Sequence, residues 1–313
     1  MARTRYLARR LASILVTLLG VSLLLFVMLQ LQPGGPAEAM LGITATPQRV
    51  AALNRELGLD QPLPEQYLHY LVRLTHGDLG ESVIFDRPVT EVIAAALPTT
   101  LKLGAYVLIL SGMTTVSLAT LAAVRRGRPV DHAIRALPLV GLGMPSFWIG
   151  VMLLFLFTLR FQVLPAGGLQ PGLAGGLRSL LLPAVTLSVA VSAILVRSLR
   201  RGLIDVLESD HVTAARARGL TGARLLLGHV LPNAAIPTLT LTSLVFASLL
   251  GGAVIVESVF ALPGIGQLLV DGFRRHDVPL VMGVALLTAA AVMVVNLLMD
   301  VAYALLDPRV GLR

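Results

Sequence analysis

The sequence predicts an all-α integral membrane protein with six transmembrane helices and a helical insertion outside the membrane after the first span. Three observations carry that expectation. The 313-residue chain is 56% hydrophobic and only 13% charged, with a mean hydropathy of +0.83, more apolar surface than one soluble core of this length can hide. Six stretches, 11–37, 103–124, 136–159, 179–196, 225–256 and 278–299, run for 18 residues or more without Asp, Glu, Lys or Arg. A helix rising 1.5 Å per residue needs about 20 such residues to cross a hydrocarbon core of roughly 30 Å. Arginines, finally, collect at alternate connections between these stretches.

The N-terminal residues 1–10 carry Arg3, Arg5, Arg9 and Arg10 and lead into a first span at 11–31. Ala37-Glu38-Ala39 offers a cleavage pattern of the signal-peptide kind. Leu11 to Leu29, however, is 19 uncharged residues, longer than the about 7–15 of a signal core, so a retained span is expected. The insertion, 32–98, holds eight of the seventeen acidic residues. Within it Thr46-Pro47 caps and opens a helix from Gln48 to Leu57, closed at Gly58, and Pro64 to Leu74 forms a second, ended near Gly77. With no cysteine in the chain, this module has to be held by packing on the bundle. A stabilising cap on the outer mouth and a docking site for a substrate-delivery protein both remain open as its role.

Residues 99–313 form the core, with spans two to six. The uncharged segment 161–177 reads as a loop because it holds five glycines with Pro165 and Pro171. Orientation follows from short loops near span ends. Arg125, Arg126, Arg128 and Arg135 join spans two and three, and Arg197, Arg200, Arg201, Arg216, Arg218 and Arg224 join four and five. Those faces are expected to be cytoplasmic, and both termini with them. The net charge of +8 is then a property of the inner face and not a nucleic-acid footprint.

The loop 197–236 is polar, basic and short, as a surface gripped by a soluble partner should be. Asp210 can cap a short helix running through Arg218, on which Ala214, Ala215 and Ala217 add little bulk. Gly219 permits a turn that a Cβ resists. The chain re-enters helix near Ala223, and Pro232 forces a break or kink before span five.

The order Thr213-Ala-Ala-x-x-x-Gly219, then nine residues, then His229-Val-Leu231-Pro232, resembles the coupling-loop motif of binding-protein-dependent ATP-binding-cassette importer permeases. Thr213 stands where that family has Glu and His229 where it has Ile, so no acidic contact from position 213 is implied. Further matches to the dipeptide, oligopeptide and nickel permease family run along the chain: Leu57-Gly-Leu-Asp-Gln-Pro-Leu63, Gly77-Asp-Leu-Gly80, Pro98-Thr-Thr-Leu101, Pro145-Ser-Phe-Trp148, Glu257-Ser-Val-Phe260, Pro263-Gly-Ile-Gly266 and Leu305-Leu-Asp-Pro-Arg309. The insertion is similar to that of the first of the two permease types in these systems.

The resemblance implies a type I importer permease fold in a bacterial cytoplasmic membrane. It implies a second permease subunit completing a heterodimer, two ATP-binding subunits on the cytoplasmic loops, and an extracytoplasmic solute-binding protein delivering di- or oligopeptides. It places the ATPase-coupling surface at Asp210, Thr213, Ala214, Ala215, Arg216, Arg218, Gly219, His229, Leu231, Pro232 and Asn233. ATP and magnesium belong to the partner subunits, and this chain is expected to bind no cofactor and no metal. Nickel chelates, glutathione and sugars are alternative solutes handled by relatives.

The residues agree with a non-catalytic membrane subunit. No Gly-x-x-x-x-Gly-Lys-Ser/Thr phosphate loop is present, and Lys102 is the only lysine. No His-x-x-x-His or His-Glu-x-x-His pattern occurs, so an intramembrane hydrolase lacks its catalytic groups. An ion-coupled carrier normally places ionisable groups at mid-membrane, whereas Arg197, Glu257 and Asp300 fall near span ends. Glu257 and Asn296 are candidates for the translocation path. The competing readings are a Glu257 that is solvated, or paired with Arg274 or Arg275, at the outer surface, and an Asn296 that hydrogen-bonds a neighbouring helix. The partners expected are thus protein subunits and membrane lipid, with no nucleic acid.

Overall fold

The computed structural model describes residues 2–31, 34–56 and 58–306. The apolar stretches become helices because a bilayer leaves backbone amides and carbonyls no partner but one another. Five helices are long and apolar enough to cross a membrane, with apolar windows at Arg10–Gln30, Val89–Val124, Gly172–Leu207, Gly222–Thr242 and Val278–Leu298 among the described residues. They belong to α1 (Ala2–Gln30), α5 (Val89–Val124), α8 (Gly172–Leu207), the segment leading into α11 (Leu231–Val259), and α13 (Val278–Leu306). At 36 residues each, α5 and α8 run about 54 Å, well beyond the roughly 30 Å of a hydrocarbon core.

The expected third span, 136–159, is not one helix. It divides into α6 (Pro129–Gly143) and α7 (Ser146–Leu154), the latter prolonged by a wider π turn over Phe155–Arg160. Pro145 is the cause: Met144 before it is extended, with φ −104° and ψ 130°, as the residue preceding a proline tends to be. The glycine-rich segment is irregular only from Phe161 to Pro171, because α8 already starts at Gly172.

The chain divides into two compact units, Met1–Thr100 with Pro263–Val294, and Leu101–Leu262 with Val295–Arg313. The first holds the insertion. Its helices are α2 (Gly35–Leu41), α3 (Pro47–Glu56) and α4 (Leu63–Thr75), followed by a two-stranded antiparallel hairpin of β1 (Glu81–Ser82) and β2 (Arg87–Pro88). Thr46 caps α3 as expected, its Oγ1 accepting the Arg49 amide at 3.3 Å. The expected end of that helix at Leu57 falls outside the described residues.

Packing does replace disulfides here. Phe26 of α1 lies 5.3 Å and 6.0 Å, centroid to centroid, from Tyr67 and Tyr70 of α4. Gln30 donates to Gln66 at 2.7 Å, and Gln66 in turn donates to the carbonyls of Leu59 and Gln61. The hairpin is pinned by buried Asp277, which accepts from the Ser82 hydroxyl at 2.6 Å and the Ile84 amide at 3.0 Å while capping α13 through the Leu280 amide at 3.1 Å. Val89, Val92, Ile93 and Ala96 of α5 pack with Leu280 and Val284 of α13 and with Ile265 of α12 (Ile265–Arg274).

The second unit is built on α8. Its buried side chains Leu180, Leu187, Val191 and Leu195 pack with Leu103 and Val107 of α5 and with Val256 and Phe260 at the end of α11. Helices α8 and α11 approach so closely that a Cβ on Gly202 would stand 2.7 Å from the Ala234 carbonyl oxygen. Ser198 and Thr238 hydrogen-bond across the same crossing at 3.1 Å.

Candidate functional site

Between α8 and α11 lies the loop that the sequence singles out, and it folds as two short helices, α9 (Asp210–Ala217) and α10 (Gly222–Leu225). The N-cap of α9 is Ser209, extended at φ −81° and ψ 154°; Asp210 is the first helical residue, not the cap. Its carboxylate still favours the helix start, where the backbone dipole is positive.

Gly219 terminates α9 by the mechanism its residue type suggests. Its φ is +85°, which costs a side-chain-bearing residue roughly 1–2 kcal/mol. The Leu220 amide donates back to the Ala215 carbonyl at 3.2 Å and the Gly219 amide to the Arg216 carbonyl at 2.9 Å, the paired bonds of a Schellman ending. Leu220 thereby folds inward against the apolar cluster below.

That cluster gives α9 two faces. Val212 and Ala215 are buried beside Leu199 and Leu203 of α8, Leu225, and Ala234 of α11. Asp210, His211, Thr213, Ala214, Arg216, Ala217, Arg218 and Gly219 are exposed. Ala215 therefore faces the protein's own core, while its neighbours Thr213 and Ala214 face out. Burial of Val212 alone stabilises the docking of α9 by about 1.5 kcal/mol.

The return to α11 runs through a π turn at Leu226–Val230. The wider turn precedes Pro232, whose ring would collide with the carbonyl four residues earlier in a regular helix and which has no amide to donate. Asn233 donates its side-chain amide to the His229 carbonyl at 2.7 Å, tying the bulge to the helix. His229, Pro232 and Asn233 are exposed; Leu231 is half-buried and packs on the same cluster as Val212.

Two ion pairs brace this face. Arg200 of α8 grips Asp131 of α6 with two bonds, Nε to Oδ1 at 2.6 Å and a terminal nitrogen to Oδ2 at 2.7 Å, and the Gly127 amide adds a third at 3.0 Å. The Arg200 hydrogen bonds hold the buried Asp131 carboxyl down at about 2, against the upward push of burial. Arg126 pairs with Glu208, the residue before the α9 cap. Neither ion pair was foreseen from sequence, since their partners lie 69 and 82 residues apart.

The two path candidates do not share one environment. Glu257 is 0% exposed near the end of α11, so the reading of a solvated outer-surface carboxylate is wrong for this conformation. Asn296 is half-buried on α13. The side chain of Asp300 lies outside the described residues. Among the described residues, no group of three or more His, Asp or Glu converges as a metal site would require.

Several apolar helices long enough to cross a membrane, with a small two-faced helix set into one loop, define the class: a multi-pass membrane protein. The match to known proteins gives the family. Residues 115–312 match the family described as the binding-protein-dependent transport system inner membrane component, and residues 3–104 match its N-terminal companion. The chain belongs to this family of inner-membrane permeases of ABC importers, subunits that work with other components of their transporter. It is 35% identical to the dipeptide transport system permease protein of Escherichia coli over 98% of both chains. It is 36% identical to a di/tripeptide transport system permease protein of Pseudomonas aeruginosa, over 97% of this chain and 98% of that one. A crystal structure of an amino acid ABC transporter with histidines shares the fold, at a TM-score of 0.50 and 19% identity over 71% of this chain and 95% of the other.

Proposed function

We propose that this chain forms half of the translocation path of a peptide importer and that α9 receives the stroke of a separate ATP-binding subunit. The named substrates of the relatives, dipeptides and di- or tripeptides, supply the solute class. The observation that carries the coupling role is the division of α9 into an exposed face at Thr213, Ala214 and Ala217 and a buried face at Val212 and Ala215. A load on the outer face passes directly into α8 and α11, whose backbones touch at Gly202 and Ala234. Asp210, Arg216, Arg218, Gly219, His229, Pro232 and Asn233 complete the accessible surface; Ala215 and Leu231 act from behind, by anchoring it.

Within this reading, ATP and magnesium are held by two partner ATPases, and a second permease of the same fold completes a heterodimer. A solute-binding protein delivers peptide on the far side. The arginine bias of the α9 face supports a cytoplasmic location for it and for both termini. Six crossings remain compatible with the fold if α6 and α7 together make the third. Asn296 is available to a passing solute, whereas Glu257 reaches the path only when the end of α11 opens.

The absence of cysteine makes the test direct. A single Ala214→Cys, in the chain purified with its transporter partners, should photo-cross-link to an ATP-binding subunit when its thiol carries a maleimide–benzophenone reagent, with a yield that changes when ATP is added. Leu159→Cys, exposed on the π turn after α7, should not. Equal yields from both, or none from position 214, would remove the coupling role from α9.

A further inference from the structure

We propose that a cleft lined by arginines between α6 and α8, and the apolar groove continuing it, hold one anionic phospholipid. The phosphodiester sits among the guanidinium groups, and an acyl chain lies along α5, α6 and α8. The proposal does not depend on the solute or on the coupling role of α9.

Five arginines line the cleft: Arg126, Arg135, Arg197, Arg200 and Arg201. Asp131 occupies Arg200 and Glu208 occupies Arg126. Among the described residues no carboxylate lies within ion-pair distance of Arg135, Arg197 or Arg201, although Asp205 lines the same cleft. Five cations set against Asp131, Asp205 and Glu208 leave an excess of two positive charges, a site for a phosphate ester.

The groove explains why that phosphate should carry a chain. Ile134, Pro138 and Val196 line both the cleft and the groove, so the two are continuous. Beyond them the groove is walled by Leu110, Leu118, Val185, Val189 and Ala193. Arg135 and Arg197 are the charged residues directly flanking the uncharged stretches 136–159 and 179–196, which sets them at the boundary between hydrocarbon and headgroup.

Native mass spectrometry on the chain purified with its transporter partners tests this. The probes are phosphatidylglycerol, phosphatidylcholine with the same acyl chains, and glycerol 1-phosphate. At about fivefold per basic residue at a membrane surface, phosphatidylglycerol should bind at least about tenfold tighter than phosphatidylcholine, and glycerol 1-phosphate should not compete. Joint Arg135→Gln, Arg197→Gln and Arg201→Gln substitution should bring the two lipids within about twofold. These side chains are exposed, so helicity should be unchanged, and the matching lysine substitutions should keep the preference. Ala193→Phe should weaken both lipids. Equal retention of the two lipids by the wild type, competition by glycerol 1-phosphate, or a preference surviving the triple Gln substitution would each overturn the proposal. So would a partner permease segment that cross-links into the groove while no lipid is held.

Discussion

Replacing Gly202 by alanine probes the contact through which α9 would act on the long helices. The added Cβ would meet the Ala234 carbonyl oxygen at 2.7 Å and the Ala234 Cα and carbonyl carbon at 3.4 Å. Ordinary contact begins at 3.4 Å, so α8 and α11 must separate by the 0.7 Å difference at this crossing. The obstacle is backbone and cannot rotate away. Overpacking of this kind costs typically about 1–3 kcal/mol, part of it offset by the about 0.5–1 kcal/mol that alanine gains over glycine in a helix. The net expectation is a loss of about 1–2 kcal/mol in a reversible denaturation followed by helicity in mixed micelles. Gly112→Ala on α5, where a Cβ meets nothing within 4 Å, should instead be neutral or slightly stabilising. In the assembled transporter, Gly202→Ala should raise ATP turnover per peptide imported, because the two helices that carry the load no longer move as one. A variant as stable and as tightly coupled as the wild type would refute the argument. Lost stability with intact coupling would keep the contact and reject the lever.

Other substitutions test other contacts. Gly219→Val should cost roughly 1–2 kcal/mol, since φ is +85° there but the space around it is open. Gly219→Asn should cost visibly less, because Asn tolerates that region, and a reversed order would contradict the Schellman ending. Asp131→Asn should destabilise by roughly 2–3 kcal/mol, the stabilisation that a carboxyl held at about 2 against an ordinary 3.8 implies. The pH dependence follows from the same pair: Asp131 is held down at about 2 against an ordinary 3.8. Its contribution is therefore complete above about 4 and is lost as pH falls toward 2. The difference between wild type and Asp131→Asn should be constant from neutral pH to about 5 and shrink below 4; a constant difference down to pH 2 would exclude the ion pair. Asp277→Ala should free the Glu81–Pro88 hairpin, detected as faster amide exchange at Ile84 and Leu280, from whose amides Asp277 accepts hydrogen bonds. Unchanged protection at those amides would show that the hairpin is held by other contacts.

Hydrophobic stretches longer than a bilayer, the Thr46-Pro47 cap and the positive φ at Gly219 were legible because each depends on neighbours in sequence; at Pro232, where a break or kink was expected, the helix instead continues through a π turn at Leu226–Val230. A helix in lipid satisfies its own backbone, and a proline or glycine acts on its own turn. The motif around Thr213 and Pro232 located the candidate site by the same local logic. Its error was likewise local: with Ser209 and Asp210 both able to cap, only the backbone dihedrals distinguish them. The break at Pro145 was also visible as a proline, but an uncharged run of sufficient length outweighed it in counting spans.

Composition and sequence order by themselves determined a helical membrane protein, its family motifs and the position of its exposed basic loop. Tertiary structure decided which side of α9 is covered, that Gly202 rather than another glycine bears the close crossing, that Glu257 is enclosed, and that Asp131 meets Arg200. These depend on which helices lie side by side, and a sequence of uniformly apolar spans carries little directional signal for that. Lipid and protein interior are alike apolar, so the periodicity that marks the buried face of a soluble helix is weak here. Only the packed structure breaks that degeneracy, through backbone approach at small residues and pairing of the few charges left at the membrane boundary.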